Sequence, residues 1–239
     1  MQILDTRANT AQRNMEIDKE LLETLSDEPI LHLYDWEKPS ITHGYFIKPA
    51  DWLNLDALDQ LGIDLARRPT GGGIVFHIWD LAFSFLMPES HSLFSEDTLE
   101  NYSFVNKIVQ KAVEDFLASK NPISLIDKDM EAKFEFSSKF CMARPTKYDV
   151  MLHGKKIAGA AQRKKTNGYL HQGTISISVP SREILSKTLK DPLIVEQIFE
   201  NTYPLISETD QTSLEDARVK IKKALIDNFE KKITSFQPA

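Results

Sequence analysis

The apolar residues of this chain change period several times, and the order of those changes restricts its fold more than any other feature. Between Asn14 and Leu25, Met15, Ile17, Leu21, Leu22 and Leu25 fall partly at helical spacing among good helix formers, which predicts a first helix. Pro29 to Trp36 then alternates apolar and polar residues as a half-buried strand does, and Lys38-Pro39-Ser40 ends it. Two apolar runs, Gly73 to Phe76 and Leu81 to Met87, read as a strand pair beginning at a glycine turn. From Thr98 to Leu117, Phe104, Ile108, Ala112, Val113 and Phe116 mark an amphipathic helix. Further on, Val150 and Leu152 share a face, His153-Gly154 makes a turn and Ile157 lies on the return strand, which is the pattern of a hairpin. Thr174 to Val179 alternates once more, and from Ser181 the pattern is helical to the end. Ser213 and Asp216 are spaced as a capping box for the last helix, whose apolar residues include Val219, Leu225, Ile226 and Phe229.

Strands thus dominate the middle and helices the two ends, without the regular strand-helix alternation of a parallel Rossmann sheet. The expected class is α+β, a mostly antiparallel or mixed sheet flanked by helices. Residues 1–239 read as a single catalytic domain, with a helical appendage at about 207–239 beyond the acidic stretch near Ser207. Hydrophobic residues make up 41% and charged residues 27%, as in ordinary globular proteins. A net charge of -6 argues against nucleic acid as the partner. No run approaches the roughly 18 apolar residues of a membrane span, and the start lacks a signal-peptide core, so a cytoplasmic location is expected. The single cysteine, Cys141, excludes an internal disulfide framework and acts, if it acts at all, as a thiol.

Gly71, Gly72 and Gly73 sit between Arg67-Arg68 and an apolar strand. Such a triplet makes either a tight turn or a loop whose backbone a ligand approaches closely. The guanidinium groups and exposed amides suit an anion, yet no Lys-Ser or Lys-Thr follows as a Walker-type phosphate loop requires. His77, four residues beyond, reads as a hydrogen-bonded strand-end histidine or as part of that site. In the second block, Lys155 and Lys156 stand beside Ala158, Gly159, Ala160 and Ala161, small residues that leave room for a ligand next to a cation. A basic turn is the plainer reading of that pair. Lys164-Lys165 reads as a solvated loop.

Together the strings RRPTGGGIVFH, DVMLHGKKIAGAAQR and HQGTISI resemble, in order and spacing, the signature of lipoate-protein ligases and octanoyltransferases. LHLYDWEKPSITHG is similar to the family's early strand, so the resemblance covers roughly Met15 to Val179. It implies a biotin/lipoate ligase-like catalytic domain, with biotin attachment possible only by analogy of fold. Lys156 matches the lysine that contacts the acyl carbonyl and, in ligases, the phosphate of an acyl-adenylate. Arg68, Gly71, Gly72 and Gly73 match the loop lining the lipoyl and nucleotide pocket, and His77 matches the histidine closing that block. Gly159 belongs to the substrate-binding segment after the lysine. Asp149 stands where ligases carry an acidic residue associated with nucleotide and Mg2+, and His171 matches the first histidine of the ligase HHGT string.

Two chemistries follow from this resemblance. The first is ATP-dependent ligation, in which lipoate or octanoate is activated as an acyl-adenylate with ATP and Mg2+ and passed to a lysine. The acceptors implied are lipoyl domains of 2-oxoacid dehydrogenase complexes and the glycine cleavage H protein. The second is octanoyl transfer from acyl carrier protein to the same lysine, without ATP. CMARPTKYD, with Pro145 and Tyr148 after Cys141, resembles the nucleophile segment of the cysteine-dependent octanoyltransferases, and QRKKTNGYLHQG resembles their QRK segment. Gly71-Gly72-Gly73 is instead a ligase trait, where those transferases often show Gly-Gly-Arg. The expectation therefore puts ligation first and transfer second. A noncatalytic lipoate-binding protein ranks third because Lys156 and the glycine block are intact. Many ligases also carry an accessory domain, so either a minimal domain is sufficient here or a partner protein supplies the remainder. A buried, inert thiol is the plainer reading of Cys141.

Overall fold

The structure, a computed structural model, describes residues 1–118, 123–127 and 139–235. In chain order its elements are β1 (Gln2–Asn9), α1 (Ala11–Glu23), β2 (Ile30–Trp36), β3 (Ser40–His43), α2 (Leu55–Gln60), β4 (Asp64–Arg67), β5 (Ile74–His77) and β6 (Asp80–Pro88). There follow α3 (Thr98–Leu117), β7 (Ser124–Leu125), β8 (Val150–Leu152), β9 (Lys155–Lys165), β10 (Gly168–Ser176), α4 (Arg182–Thr188), α5 (Pro192–Asn201) and α6 (Gln211–Thr234). A seven-stranded sheet runs β1-β2-β6-β10-β9-β8-β7, and a three-stranded one runs β4-β3-β5. β1 lies parallel to β2 and β3 parallel to β4, while the other pairings are antiparallel. The α+β class with a mixed sheet and flanking helices is therefore what the chain adopts.

Side-chain parity divides the large sheet into two faces. Leu31 and Leu33 of β2, Leu81, Phe83 and Phe85 of β6, and Tyr169 and Ile175 of β10 point to one side, where α3 and α6 cover them. The opposite parity, with Tyr34 and Ala82, meets Ala11 and Met15 of α1. Leu86 and Leu170 meet Leu22 and Leu25 on that same side. A third cluster, including Ile41, Ile74, Phe76 and Phe140, packs the small sheet against α2, α4 and α5. The helical segment expected from about residue 207 is α6, and Leu214, Ile221, Leu225 and Phe229 place it within the main core.

Several local expectations shift. The two apolar runs flanking residue 78 are not a paired hairpin: β5 joins the small sheet and β6 the large one, so the chain changes sheet at Ile78-Trp79. β2 and β10 are buried on both faces rather than half-buried, and β10 begins at Gly168 instead of Thr174. The last helix is capped by Asp210, which accepts from the Ser213 amide, so Ser213 lies inside it; Val219 on that helix is exposed. The α3 limits and the His153-Gly154 turn agree with the sequence, both turn residues having positive φ (51° and 74°) as a tight hairpin requires.

Candidate active site

The glycine loop is organised from within by Arg68. Its buried guanidinium donates to Thr42 Oγ1 at 2.7 Å and to the carbonyl oxygens of Gly71 and Gly73 at 3.1 and 2.7 Å. Gly72 takes a left-handed φ of 85°. A Cβ on Gly73 would lie 2.9 Å from Phe140 N and closer still to the Lys139 carbonyl, so only glycine lets residues 139–141 pass this close. That passage delivers Cys141, whose Sγ accepts the Gly73 N–H at 3.2 Å while its own amide donates to Ile74 O at 3.2 Å. Burial lowers the Arg68 pKa, and the neighbouring Cys141 side chain opposes that effect.

Lys156 reaches the same place from β9. Its Nζ lies 2.8 Å from Asp149 Oδ2 and donates to the Cys141 carbonyl oxygen at 2.9 Å, and it is only 3% exposed. Asp149 Oδ2 also accepts from the Thr146 amide at 2.6 Å and from Thr146 Oγ1 at 3.0 Å. Burial raises the Asp149 pKa, and the Lys156 charge and hydrogen bond work against that rise. Gly159 makes the pair possible, because a Cβ there would collide with Lys156 Cε and Nζ and lie 2.8 Å from Asp149 Oδ1.

Two cavities meet at these residues. One is a narrow recess lined largely by apolar groups, among them Met15, Tyr34, Val75, Met142 and Gly173. The other is a more polar cleft of about 760 Å³ bordered by Gly71 to Gly73, Tyr102, Arg144 and Thr146. Cys141, Lys156, Ala160 and Ala161 line both. A thiol, a backbone N–H donor and two cations thus stand where an apolar chain could lie on one side and a polar group on the other.

His77 also faces the recess. Its Nδ1 donates to Asp80 Oδ2 at 2.6 Å, which leaves Nε2 to accept from the Thr42 hydroxyl at 2.8 Å. Thr42 in turn accepts from Arg68, so a continuous chain of bonds links Asp80 through His77 and Thr42 to the glycine loop. Trp36 stacks on the His77 ring at 4.4 Å. The structure therefore brings Arg68, Gly71, Gly72, Gly73, His77, Cys141, Asp149, Lys156 and Gly159 together.

His171 is not brought there. It has the opposite parity on β10, fully buried beside Phe83 and Tyr102, with Nδ1 2.8 Å from Gln162 Nε2 and no partner for Nε2 among the described residues. Burial pushes its pKa down to about 3. Its neighbour Gln172 faces the recess instead, accepting from Thr70 Oγ1 at 2.6 Å and donating to Asp18 Oδ2 at 2.6 Å. Asp18 is bound by His32 and Ser84, so a buried network anchors the start of the glycine loop to α1 and β2. Sequence reasoning missed Met15, Thr42, Thr70, Asp80 and Gln172. No local signal marks them, because β10 is buried on both faces and its sequence does not tell which side meets the recess.

The groups expected to hold nucleotide and Mg2+ are engaged within the protein. Arg68 and the Gly73 amide are committed to the loop and to Cys141, and Asp149 Oδ2 is committed to Lys156 and Thr146. No cluster of three His, Cys, Asp or Glu side chains suited to a metal ion occurs among the described residues. Asp149 Oδ2 thus serves Lys156 and Thr146, and the Gly73 amide serves the Cys141 sulfur. Nor is any helix of the described residues long and apolar enough to cross a membrane.

The family model for the lipoyl protein ligase A/B catalytic domain matches residues 10–197. Octanoyltransferase LipM of Lysinibacillus sphaericus (strain C3-41) is 30% identical over 178 residues, 72% of this chain but 64% of that protein, so the match spans less than two thirds of its length. Octanoyltransferase LipM of Macrococcus caseolyticus (strain JCSC5402) is 26% identical over 234 residues, 95% of this chain and 85% of that one. Among solved structures, lipoate-protein ligase A bound with ATP superposes with a TM-score of 0.67 at 22% identity, covering 95% of this chain and 85% of the other. A T. acidophilum protein with bound lipoic acid gives a TM-score of 0.61 at 21% identity, covering 96% and 95%. At these identities the structures establish the fold.

Proposed function

The chain belongs to the lipoyl protein ligase A/B catalytic-domain family, and from that premise we propose that it is an octanoyltransferase working through Cys141. The observation that carries this reading is the position of Cys141 Sγ, at the junction of the apolar recess and the polar cleft with the Gly73 N–H directed at it. The curated relatives named octanoyltransferase favour the same chemistry, which reverses the order expected from sequence.

In the first half-reaction the Cys141 thiolate attacks the thioester carbonyl of octanoyl acyl carrier protein; the C–S bond to the carrier breaks, and the carrier thiolate leaves and takes up the proton lost from Cys141. In the second, the neutral ε-amine of a lysine on a lipoyl domain attacks the acyl-cysteine. An amide bond forms, the Cys141 sulfur is expelled, and the proton released by the amine returns to it. Negative charge grows on the carbonyl oxygen in both addition steps. To the Lys156 ammonium, desolvated and held by Asp149, we assign the role of meeting that charge. Arg68 and the Gly73 N–H meet charge on sulfur before attack and after expulsion. The acceptors are lipoyl domains of 2-oxoacid dehydrogenase complexes and the glycine cleavage H protein.

The test is intact mass of the protein after incubation with octanoyl acyl carrier protein alone. An octanoyl adduct mapped to Cys141, lost in Cys141→Ser and discharged by an added lipoyl domain without ATP, is the expected result. Modification of the lipoyl domain only with free octanoate or lipoate plus ATP and Mg2+, undiminished in Cys141→Ser, would overturn the proposal in favour of ligation.

A further inference from the structure

The apolar recess has a blind end, and the residue closing it is on the first helix. Gly159 and Ala161 line the recess from β9, Gln172 and Thr174 from β10, and Tyr34 from β2. Gln172 stands opposite Ala161 of β9, so the recess crosses from β9 over β10 to the side chains of Tyr34 and of the helix above. Cys141 and Lys156 stand at its β9 end, where it meets the polar cleft. At the β2 end Met15 of α1 packs with Tyr34, its Sδ accepting from Gln172 Nε2 at 3.3 Å.

Behind Met15 lies open space rather than solid core. A polar surface cleft bordered by Gln12, Glu16, Lys19 and Arg163 shares Met15 and Arg68 with the recess. Those two side chains are thus the partition between them. Arg68 is fixed by the glycine loop, whereas the Met15 thioether is an unbranched, adaptable group lying across the remaining gap.

Resting on the octanoyl-transfer reading, we infer that Met15 is the chain-length stop: the acyl group runs from Cys141 across β10, and its terminal methyl abuts Met15 and Tyr34. The stop sets the longest chain that Cys141 accepts, and an octanoyl chain is the expected limit. Shortening Met15 joins the recess to the outer cleft and lets a longer chain pass through it.

The experiment loads the protein with octanoyl, decanoyl and dodecanoyl pantetheine thioesters and follows the Cys141 adduct by intact mass. Wild type should load octanoyl and discriminate against dodecanoyl. Met15→Ala should raise the dodecanoyl-to-octanoyl ratio by at least about tenfold, the scale on which apolar pockets discriminate by size. Because Met15→Ala opens a hole in a packed cluster, a second measurement uses wild type alone: an octanoyl thioester carrying a diazirine next to its terminal methyl is loaded, irradiated and mapped by peptide mass spectrometry. Labelling of Met15 or Tyr34 is expected. Equal loading of all chain lengths by wild type, an unchanged ratio in folded Met15→Ala, or a label confined to Val75 or Met142 would overturn the stop while leaving transfer through Cys141 intact. Absence of any Cys141 adduct would overturn the transfer reading and this inference with it.

Discussion

Gly159→Ala tests whether the Lys156–Asp149 pair is set by steric necessity. The φ of Gly159 is not in the left-handed region, so alanine adds no backbone strain. Its added Cβ instead falls on Lys156 Cε and Nζ, 2.8 Å from Asp149 Oδ1. A lysine on the surface would swing aside at little cost, but this one is buried and tied to Asp149 Oδ2 at 2.8 Å and to the Cys141 carbonyl at 2.9 Å. Displacing it leaves a buried carboxylate without its cation, a change that costs about 3–5 kcal/mol when complete. Removing one preorganised donor from a reacting carbonyl lowers a rate by about two to three orders of magnitude. Gly159→Ala should therefore slow octanoyl transfer to a lipoyl domain by about that factor and lower the thermal midpoint, although the substituted atom is a single methyl. Lys156→Met should slow transfer similarly. Since both act through the same ammonium, the double variant should lose little more than either alone, giving strong non-additivity in a double-mutant cycle. Full additivity, or a Gly159→Ala enzyme with wild-type turnover, would refute the reasoning.

Three other expectations concern neighbouring groups. Arg68→Lys keeps the charge but not the planar fork that spans Thr42, Gly71 O and Gly73 O, so adduct formation at Cys141 should fall at least about tenfold while limited proteolysis near Gly72 increases; unchanged loading would remove Arg68 from the site. His171 has a pKa lowered from 6.5 to about 3, so its contribution to stability is present above pH 6.5 and is lost as pH falls towards 3, by at most about 5 kcal/mol. His171→Phe should flatten the decline of urea midpoints over that window and leave transfer at neutral pH near wild type; an unchanged slope, or lost transfer in a folded variant, would refute this placement. Thr70→Val removes the hydroxyl that donates to Gln172 and should slow adduct formation by loosening the glycine loop, and a wild-type rate would show that the buried Asp18 network does not position the loop.

What the sequence determined by itself was local. The α3 limits follow from apolar spacing, and the β8–β9 turn follows from His153-Gly154, because helices and tight hairpins are decided by neighbours a few residues apart. The resemblance of the glycine and lysine blocks to a known signature also pointed to residues that gather around Cys141, which their composition alone left open. What they do there was decided by the tertiary structure. Arg68 and Asp149 looked like ligand-binding groups, yet Arg68 also braces the glycine loop against Thr42 and Asp149 pairs with Lys156, contacts that form only once β3 and β9 are assembled. Cys141 meets Gly73 across 68 positions of sequence, and Thr70 meets Gln172 across 102. The choice between His171 and Gln172 as the recess-facing residue is one of strand parity, and a register one residue different would exchange them. That register depends on α1 covering one face of the large sheet and α3 with α6 the other. No local pattern in a strand buried on both faces records which helix lies on which side.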